Sequence, residues 1–327
     1  MRATLSMLAD IREKRNTPGL IRLSGRLLGI VVVVTSGAVS ALAQSAPVPT
    51  PQNPSPMVEN SRAHERLVQR PLPGTARSFL GPANKQVEIL VPTGVRPNAF
   101  DVVIHFHGAA WLAQQAVAAL DNRTLTAVLN LGTGSGVYER SFANPAVFDS
   151  LLLGIAREVT AATGQAVRVG RVTLTGWSAG HGAIRAILRD PRHFAAVHAV
   201  LLMDGMHTSY VPEGTPLAAG SAIDTTNLVA FTEFARAAMR GDKRFLVTHS
   251  EIFPGTFGST TETADWLLSA LSVRRTPVLR WGPRGLQQLS EAHAGHFTLL
   301  GYAGNSAPDH VYQLHAMPEL LAQLLKR

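Results

Sequence analysis

The chain is expected to adopt an α/β fold, a mainly parallel sheet with helices on both faces. Short runs rich in β-branched and aliphatic residues alternate with longer stretches of helical period, the sequence signature of repeated strand-helix units. Most of the short runs are continuously apolar rather than alternating, as strands covered on both faces are. Neither an internal repeat nor a second linker interrupts this pattern after about residue 77, so one domain is the simplest organisation.

The amino-terminal region reads differently. Its first 26 residues hold Arg2, Arg12, Lys14, Arg15, Arg22 and Arg26 against only Asp10 and Glu13, which is half of the chain's formal net charge of +8. The remaining basic residues are scattered, without a Lys-rich run or an aromatic-interleaved stripe, which argues against a nucleic-acid partner. The apolar segment LLGIVVVVTSGAVSALA (27–43) follows and ends in the small-x-small pattern Ala41-Leu42-Ala43. Residues 1–43 therefore read as an export signal, or as a membrane anchor if it is not cleaved. This segment is the one membrane contact the sequence suggests, and it implies a periplasmic or extracellular location. Residues 44–76 form a Pro-rich linker and lead-in, with Pro47, Pro49, Pro51, Pro54 and Pro56 favouring an extended chain. The protein contains no cysteine, so disulfides and thiolate chemistry are excluded and stability rests on core burial.

Within 77–327 the candidate strands are KQVEILVP (85–92), DVVIHFH (101–107), TAVLNLG (126–132), RVTLTGW (171–177), AVLLMDG (199–205), RFLVTHS (244–250) and HFTLLGYAG (296–304). Helical stretches cover 145–164, 181–190, 225–239 and 260–272, and a last helix covers VYQLHAMPELLAQLL (311–325). Sheets of this kind bind ligands at the carboxyl ends of their strands, and the chemistry-bearing residues cluster there.

VTLTGWSAGHG (172–182) places Gly176, Ser178 and Gly180 in a Gly-x-Ser-x-Gly pattern between an apolar strand and a helix. That context suits a nucleophile held on a tight, strained turn with backbone N–H groups beside it. A serine needs a base. His310 suits that role, because it follows the strand HFTLLGYAG across the short segment NSAPD; His296 begins that strand and His315 falls within the helical pattern. The base needs a carboxylate to orient it, and two compete: Asp204 at the end of AVLLMDG and Glu251 just past RFLVTHS. Asp309, next to His310, is expected to point elsewhere. Oxyanion donors are expected from the N–H of Ala179 and from Ala109 or Ala110 in the loop of DVVIHFHGAAW. His105 and His107 form an H-x-H pair that would put both rings on one strand face, but the run continues GAAW without further ligands, so no metal site is expected. GTGSG (132–136) lacks nucleotide-binding spacing and leads into VYERSF, which reads as a flexible loop facing the site. Trp111, Trp177, Phe253, Phe257, Trp281 and Tyr302 lie near strand ends and include candidates for lining an acyl or aryl pocket.

Taken in order, HFHGAAW, GWSAG, a carboxylate at a strand end and NSAPDH resemble the α/β-hydrolase superfamily, in its serine esterase-like branch, over roughly residues 85–327. The resemblance implies a mostly parallel sheet of about eight strands, a Ser-His-acid triad and attack on an ester or related acyl bond, with no cofactor. The sequence departs from the family after RFLVTHS, where HSEIFPG stands in place of the usual aspartate, leaving Asp204 and Glu251 both open as the acid. Residues 276–294 read as an insertion covering the substrate. The expectation is an exported serine hydrolase acting on a small or polymer-derived ester. The alternatives are an inactive hydrolase fold that binds a ligand and an acyltransferase.

Overall fold

In the computed structural model, residues 67–96 and 98–326 are described. The leader expected over 1–43, and the linker up to residue 66, lie outside the described residues.

In chain order the strands are β1 (Thr75–Leu80), β2 (Gln86–Val91), β3 (Asn98–Phe106), β4 (Leu125–Leu129), β5 (Val167–Trp177), β6 (Val197–Met203), β7 (Tyr210–Val211), β8 (Ala222–Ile223), β9 (Arg244–His249), β10 (Thr276–Trp281), β11 (Gln287–Ala294) and β12 (Phe297–Tyr302). Ten of them form one sheet in the order β1-β2-β4-β3-β5-β6-β9-β12-β11-β10, and β7 and β8 form a separate ribbon. From β4 through β3, β5, β6 and β9 to β12 every pairing is parallel. Antiparallel strands extend the sheet at both edges.

The helices are α1 (Ala110–Ala118), α2 (Ser135–Ser141), α3 (Pro145–Thr163), α4 (His181–Leu188), α5 (Pro191–Ala196), α6 (Val229–Met239), α7 (Thr260–Leu271), α8 (Ala307–His315) and α9 (Met317–Leu325). Two apolar layers sandwich the sheet. Ile104, Phe106, Val200 and Leu202 pack with α3, α4, α6 and α7. Val103, Ala199, Leu201 and Met203 point the other way, toward α1, α8 and α9. This period-2 division explains the unbroken apolar runs of β3 and β6, since both faces of each strand are covered.

Three expectations change. Residues 276–294 do not cover the site; they form the β10-β11 hairpin, which pairs antiparallel with β12 and widens the sheet. Those two strands and the lead-in strand β1 bring the seven strands read from the sequence to ten, against about eight implied by the resemblance. GTGSG runs directly into α2, whose close approach to α4 requires a glycine: a Cβ on Gly182 would lie 2.2 Å from the Ser135 carbonyl oxygen. The last helix is two helices, because Pro318 at the start of α9 has no N–H to continue α8. His310 then lies inside α8, not in a loop. Ser306 caps that helix and accepts from the Asp309 N–H while Asp309 reaches back to the cap backbone, a reciprocal pair that satisfies two first-turn donors.

Candidate active site

β5 ends at Trp177, and Ser178 turns the chain with φ 48°, in the left-handed region that non-glycine residues avoid. The glycines around it are required by space. A Cβ on Gly180 would lie 2.1 Å from the Phe106 carbonyl oxygen, so the turn seats against the end of β3 only without a side chain there. Across the cleft, a Cβ on Gly205 would stand 2.8 Å from the Ser178 carbonyl oxygen, which brings the segment after β6 against the serine's own backbone. Ser178 itself is half-buried and lines a cavity of about 500 Å³ with His107, Ala179, His181, Arg185 and His207.

Asp204 lies at the end of β6, also in the left-handed region with φ 44°, and is 1% exposed. Its Oδ1 accepts from the Ser250 N–H at 2.9 Å and the Thr260 hydroxyl at 2.6 Å. Its Oδ2 accepts from the Ser250 hydroxyl at 2.6 Å and from His310 Nδ1 at 2.7 Å. Burial pushes the carboxyl pKa up, but the His310 hydrogen bond and charge, with the Ser250 and Thr260 bonds, outweigh it and hold the group below the ordinary carboxylate value. An ionised carboxylate only accepts, so His310 Nδ1 carries the proton and Nε2 presents a lone pair. Trp177 fixes the histidine further: its Nε1–H donates to the His310 carbonyl at 2.9 Å, and the two rings are 4.7 Å apart.

Glu251, the competing carboxylate, makes no hydrogen bond to His310; its N–H donates to the Gly304 carbonyl at 2.9 Å, and burial raises its pKa. Asp309 is consumed by the α8 cap. His315 is buried in the α8 and α9 layer, and His296 sits at the amino end of β12.

Ala109 is the N-cap of α1 and Ala110 its first residue, so their N–H groups belong to the set a helix leaves without intrahelical partners. The loop before them is fixed from both sides: Gly108 N–H donates to Asn130 Oδ1, and Asn130 Nδ2 donates back to the Gly108 carbonyl, each at 2.8 Å. Ala179 follows Ser178 at the start of the turn into α4.

The H-x-H pair does not share a face. β3 stops at Phe106, and His107 takes φ 71°, which swings its ring away from that of His105. His105 bonds Thr175 and His107 bonds Tyr138, each at 2.9 Å. Among the described residues no group of three or more His, Cys, Asp or Glu could hold a metal ion.

Several residues of the site carry no motif. The Tyr138 oxygen accepts from the Leu131 N–H at 3.2 Å and also from the Gly132 N–H, which fills both lone pairs, so its own proton goes to His107 Nδ1, leaving His107 as an Nε2–H donor. Burial, followed by the neighbouring His310, lowers the His107 pKa to about 4, and the neutral ring stacks on Trp177 at 5.2 Å. His181 and His207 approach each other at 5.7 Å; both are held below the ordinary histidine value, chiefly by burial. Of the aromatics near strand ends, Phe257 reaches the cavity, Trp177 lies behind it, and Phe253 and Trp281 are exposed. A cleft of about 460 Å³ around Asp101 and Arg171 lies at the amino ends of β3 and β5, the wrong edge for this sheet's chemistry.

These features define a class. A parallel sheet with a strained serine after the third of its parallel strands in spatial order, an aspartate after the next, and a histidine beyond the last is the α/β-hydrolase fold. No protein-family model matches the chain, and no curated protein matches it. Its similarity to solved structures is distant. A thermostable esterase is 14% identical with a TM-score of 0.44, over 76% of this chain and 62% of the other, so the chain spans less than two thirds of that protein. A thermostable esterase from Pseudomonas putida is 13% identical with a TM-score of 0.44, over 80% of this chain and 86% of the other. An α/β serine hydrolase without lid from Xanthomonas campestris is 12% identical with a TM-score of 0.38, over 80% of this chain and all of the other.

Proposed function

We propose that the protein is a serine hydrolase that cleaves a carboxylic ester through an acyl-enzyme. The observation that carries this reading is the buried hydrogen bond of 2.7 Å between His310 and Asp204, with His310 packed on Trp177, the residue that precedes a serine held at φ 48°. No structural requirement of the fold calls for an ionised carboxylate, an imidazole with a free Nε2 and a strained serine at one strand edge; nucleophilic catalysis calls for all three.

In this mechanism Ser178 Oγ attacks the ester carbonyl while His310 Nε2 takes its proton. The tetrahedral oxyanion is held by the N–H groups of Ala179 and of Ala109 or Ala110. His310 returns the proton to the departing alcohol as the C–O bond breaks, leaving the acyl group on Ser178. Water then attacks the acyl-enzyme with His310 as base, and the acid leaves as Ser178 recovers its proton. Asp204 stabilises the imidazolium and keeps Nδ1 protonated throughout. The leader places the enzyme outside the cytoplasm in this reading, which intact mass of the protein recovered from its native host tests by the presence or loss of residues 1–43.

The test of the chemistry is covalent labelling by a fluorophosphonate, followed by intact mass, in the native chain and in Ser178→Ala. Labelling of the native chain alone supports the proposal. A folded native chain that stays unlabelled and leaves 4-nitrophenyl acetate intact overturns it in favour of a binding protein.

A further inference from the structure

Among the described residues that line the cavity beside Ser178, one side chain is formally charged, and it is a cation: Arg185. Arg185 follows His181 by one helical turn on the cavity face of α4 and is 5% exposed. A buried guanidinium is costly unless its charge and its donors are matched, and here neither is matched in full. Glu139 pairs with Arg185, but it also pairs with Arg189 at 2.5 Å, so one carboxylate is divided between two cations. The Arg185 Nε–H is buried with no partner, and Nη1 makes only a long bond of 3.4 Å to the His207 carbonyl. Arg185 also acts on the histidine one turn before it: after burial it is the next cause that holds the His181 pKa down. Both imidazoles give Nδ1–H to carbonyls, of Ser178 and Gly258, and stay neutral. Hydroxyls of Thr133, Ser135 and Ser209 supply further donors on the same wall.

We infer that this cavity selects esters bearing a carboxylate, and that Arg185 is the residue that selects them. The inference rests on the esterase reading above. A carboxylate completes the guanidinium's hydrogen bonds and balances the charge that Glu139 leaves over, where a neutral chain leaves both unmet. A tight 3-10 turn over Ser178–Gly180 and the first turn of α4 separate Arg185 from Ser178, a backbone span of roughly 10–12 Å at helical rises, and helical side chains lean toward the helix amino end. The charge therefore belongs a few carbons from the reacting carbonyl.

The test compares matched pairs of esters. Mono-4-nitrophenyl glutarate against its methyl ester carries the charge on the acyl side; 4-acetoxybenzoate against methyl 4-acetoxybenzoate carries it on the alcohol side. Native protein is expected to prefer the anion of one pair by about 10- to 100-fold in kcat/KM, the range of a charged hydrogen bond. That ratio is expected to collapse toward one in Arg185→Gln and to survive in part in Arg185→Lys. Ratios near one in the native protein, or a preference unchanged in Arg185→Gln, overturn the inference. If Arg185→Gln does not fold, competitive inhibition of the native enzyme by glutarate but not by glutaramide supports the inference, and equal inhibition refutes it. If no ester is cleaved, thermal stabilisation of the native chain by glutarate over glutaramide still decides the anion site, separately from the hydrolase reading.

Discussion

Replacing Asp204 with asparagine tests the proposed chemistry at its most constrained point. The side chain keeps its size, but its two oxygens are not equivalent. Oδ1 faces a backbone N–H, that of Ser250, and the Thr260 hydroxyl, and the backbone donor cannot be reversed. The amide oxygen therefore stays there, and the new NH2 takes the place of Oδ2. The Ser250 hydroxyl can rotate to accept from it. His310 cannot stay as it is, because Nδ1–H would meet N–H; the ring must carry its proton on Nε2, the nitrogen that should receive the Ser178 proton. The variant should therefore fold and fail as a catalyst. Loss of one charged hydrogen bond sets the stability cost at about 1–3 kcal/mol. The wrong tautomer sets the catalytic cost at about 10⁴-fold in kcat, about 5 kcal/mol in the barrier. Initial rates on 4-nitrophenyl butyrate, with urea unfolding in parallel, read the two separately. An Asp204→Asn variant within tenfold of native kcat would refute the orienting role, and Glu251→Gln, which touches nothing at His310, should stay within about threefold.

Tyr138→Phe removes the hydroxyl that fixes His107 in the wall of the cavity that Ser178 also lines; about a tenfold fall in kcat/KM is expected from steady-state kinetics, and an unchanged kcat/KM would count against a positioning role for the pair. Gly180→Ala drives a Cβ to 2.1 Å from a backbone oxygen, so it should cost more than about 2 kcal/mol by urea titration; a neutral result would mean the elbow is looser than its geometry. Stability should also fall in acid. His105 is lowered to about 3, His107 to about 4 and His249 to about 4, burial being the main cause in each. The unfolded chain protonates first as pH drops below about 6.5, so the stability these neutral rings contribute is complete above that value and is lost as pH falls toward 4. By pH 5 the loss is about 2 kcal/mol for each ring. Urea midpoints that stay flat from pH 7 to pH 5 would contradict it.

Much of the fold was legible because its signal is local. Strands covered on both faces must be apolar throughout, so β3, β4, β5, β6, β9 and β12 announced themselves; the elbow was legible because its Gly-x-Ser-x-Gly pattern is local, although the space Gly180 must leave is set by Phe106 in the distant strand β3. The edge strands were not. β10 is largely exposed, including Leu279 and Trp281, and its pairing to β11 is decided by the sheet it joins, which no short window of sequence contains. The helix that holds His310 was hidden in the same way: NSAPD reads as a loop by composition, yet Ser306 and Asp309 form a reciprocal cap, and Pro308 fits the first turn, where its missing N–H costs nothing.

The site divides along the same line. Ser178 and Asp204 sit at strand ends where a polar residue stops an apolar run, and an interruption is visible in one dimension; His310 was visible because it follows the apolar strand β12 after a short polar segment. Arg185 and Tyr138 interrupt nothing: each lies inside a helix, where an arginine or a tyrosine is ordinary. What distinguishes them is a partner 46 or 31 residues away, Glu139 for the arginine and His107 for the tyrosine. The position of α2 ties both together, since Tyr138 and Glu139 are adjacent on it and the contact with α4 depends on Gly182. If α2 were displaced, His107 would lose the hydroxyl that sets its tautomer and Arg185 would lose the carboxylate it shares with Arg189. The loop and helix from Thr133 to Ser141 therefore couple the His107 wall of the cavity to its Arg185 wall, and Gly182→Ala, which pushes α2 away, should weaken hydrolysis of neutral and anionic esters together, where Arg185→Gln separates them.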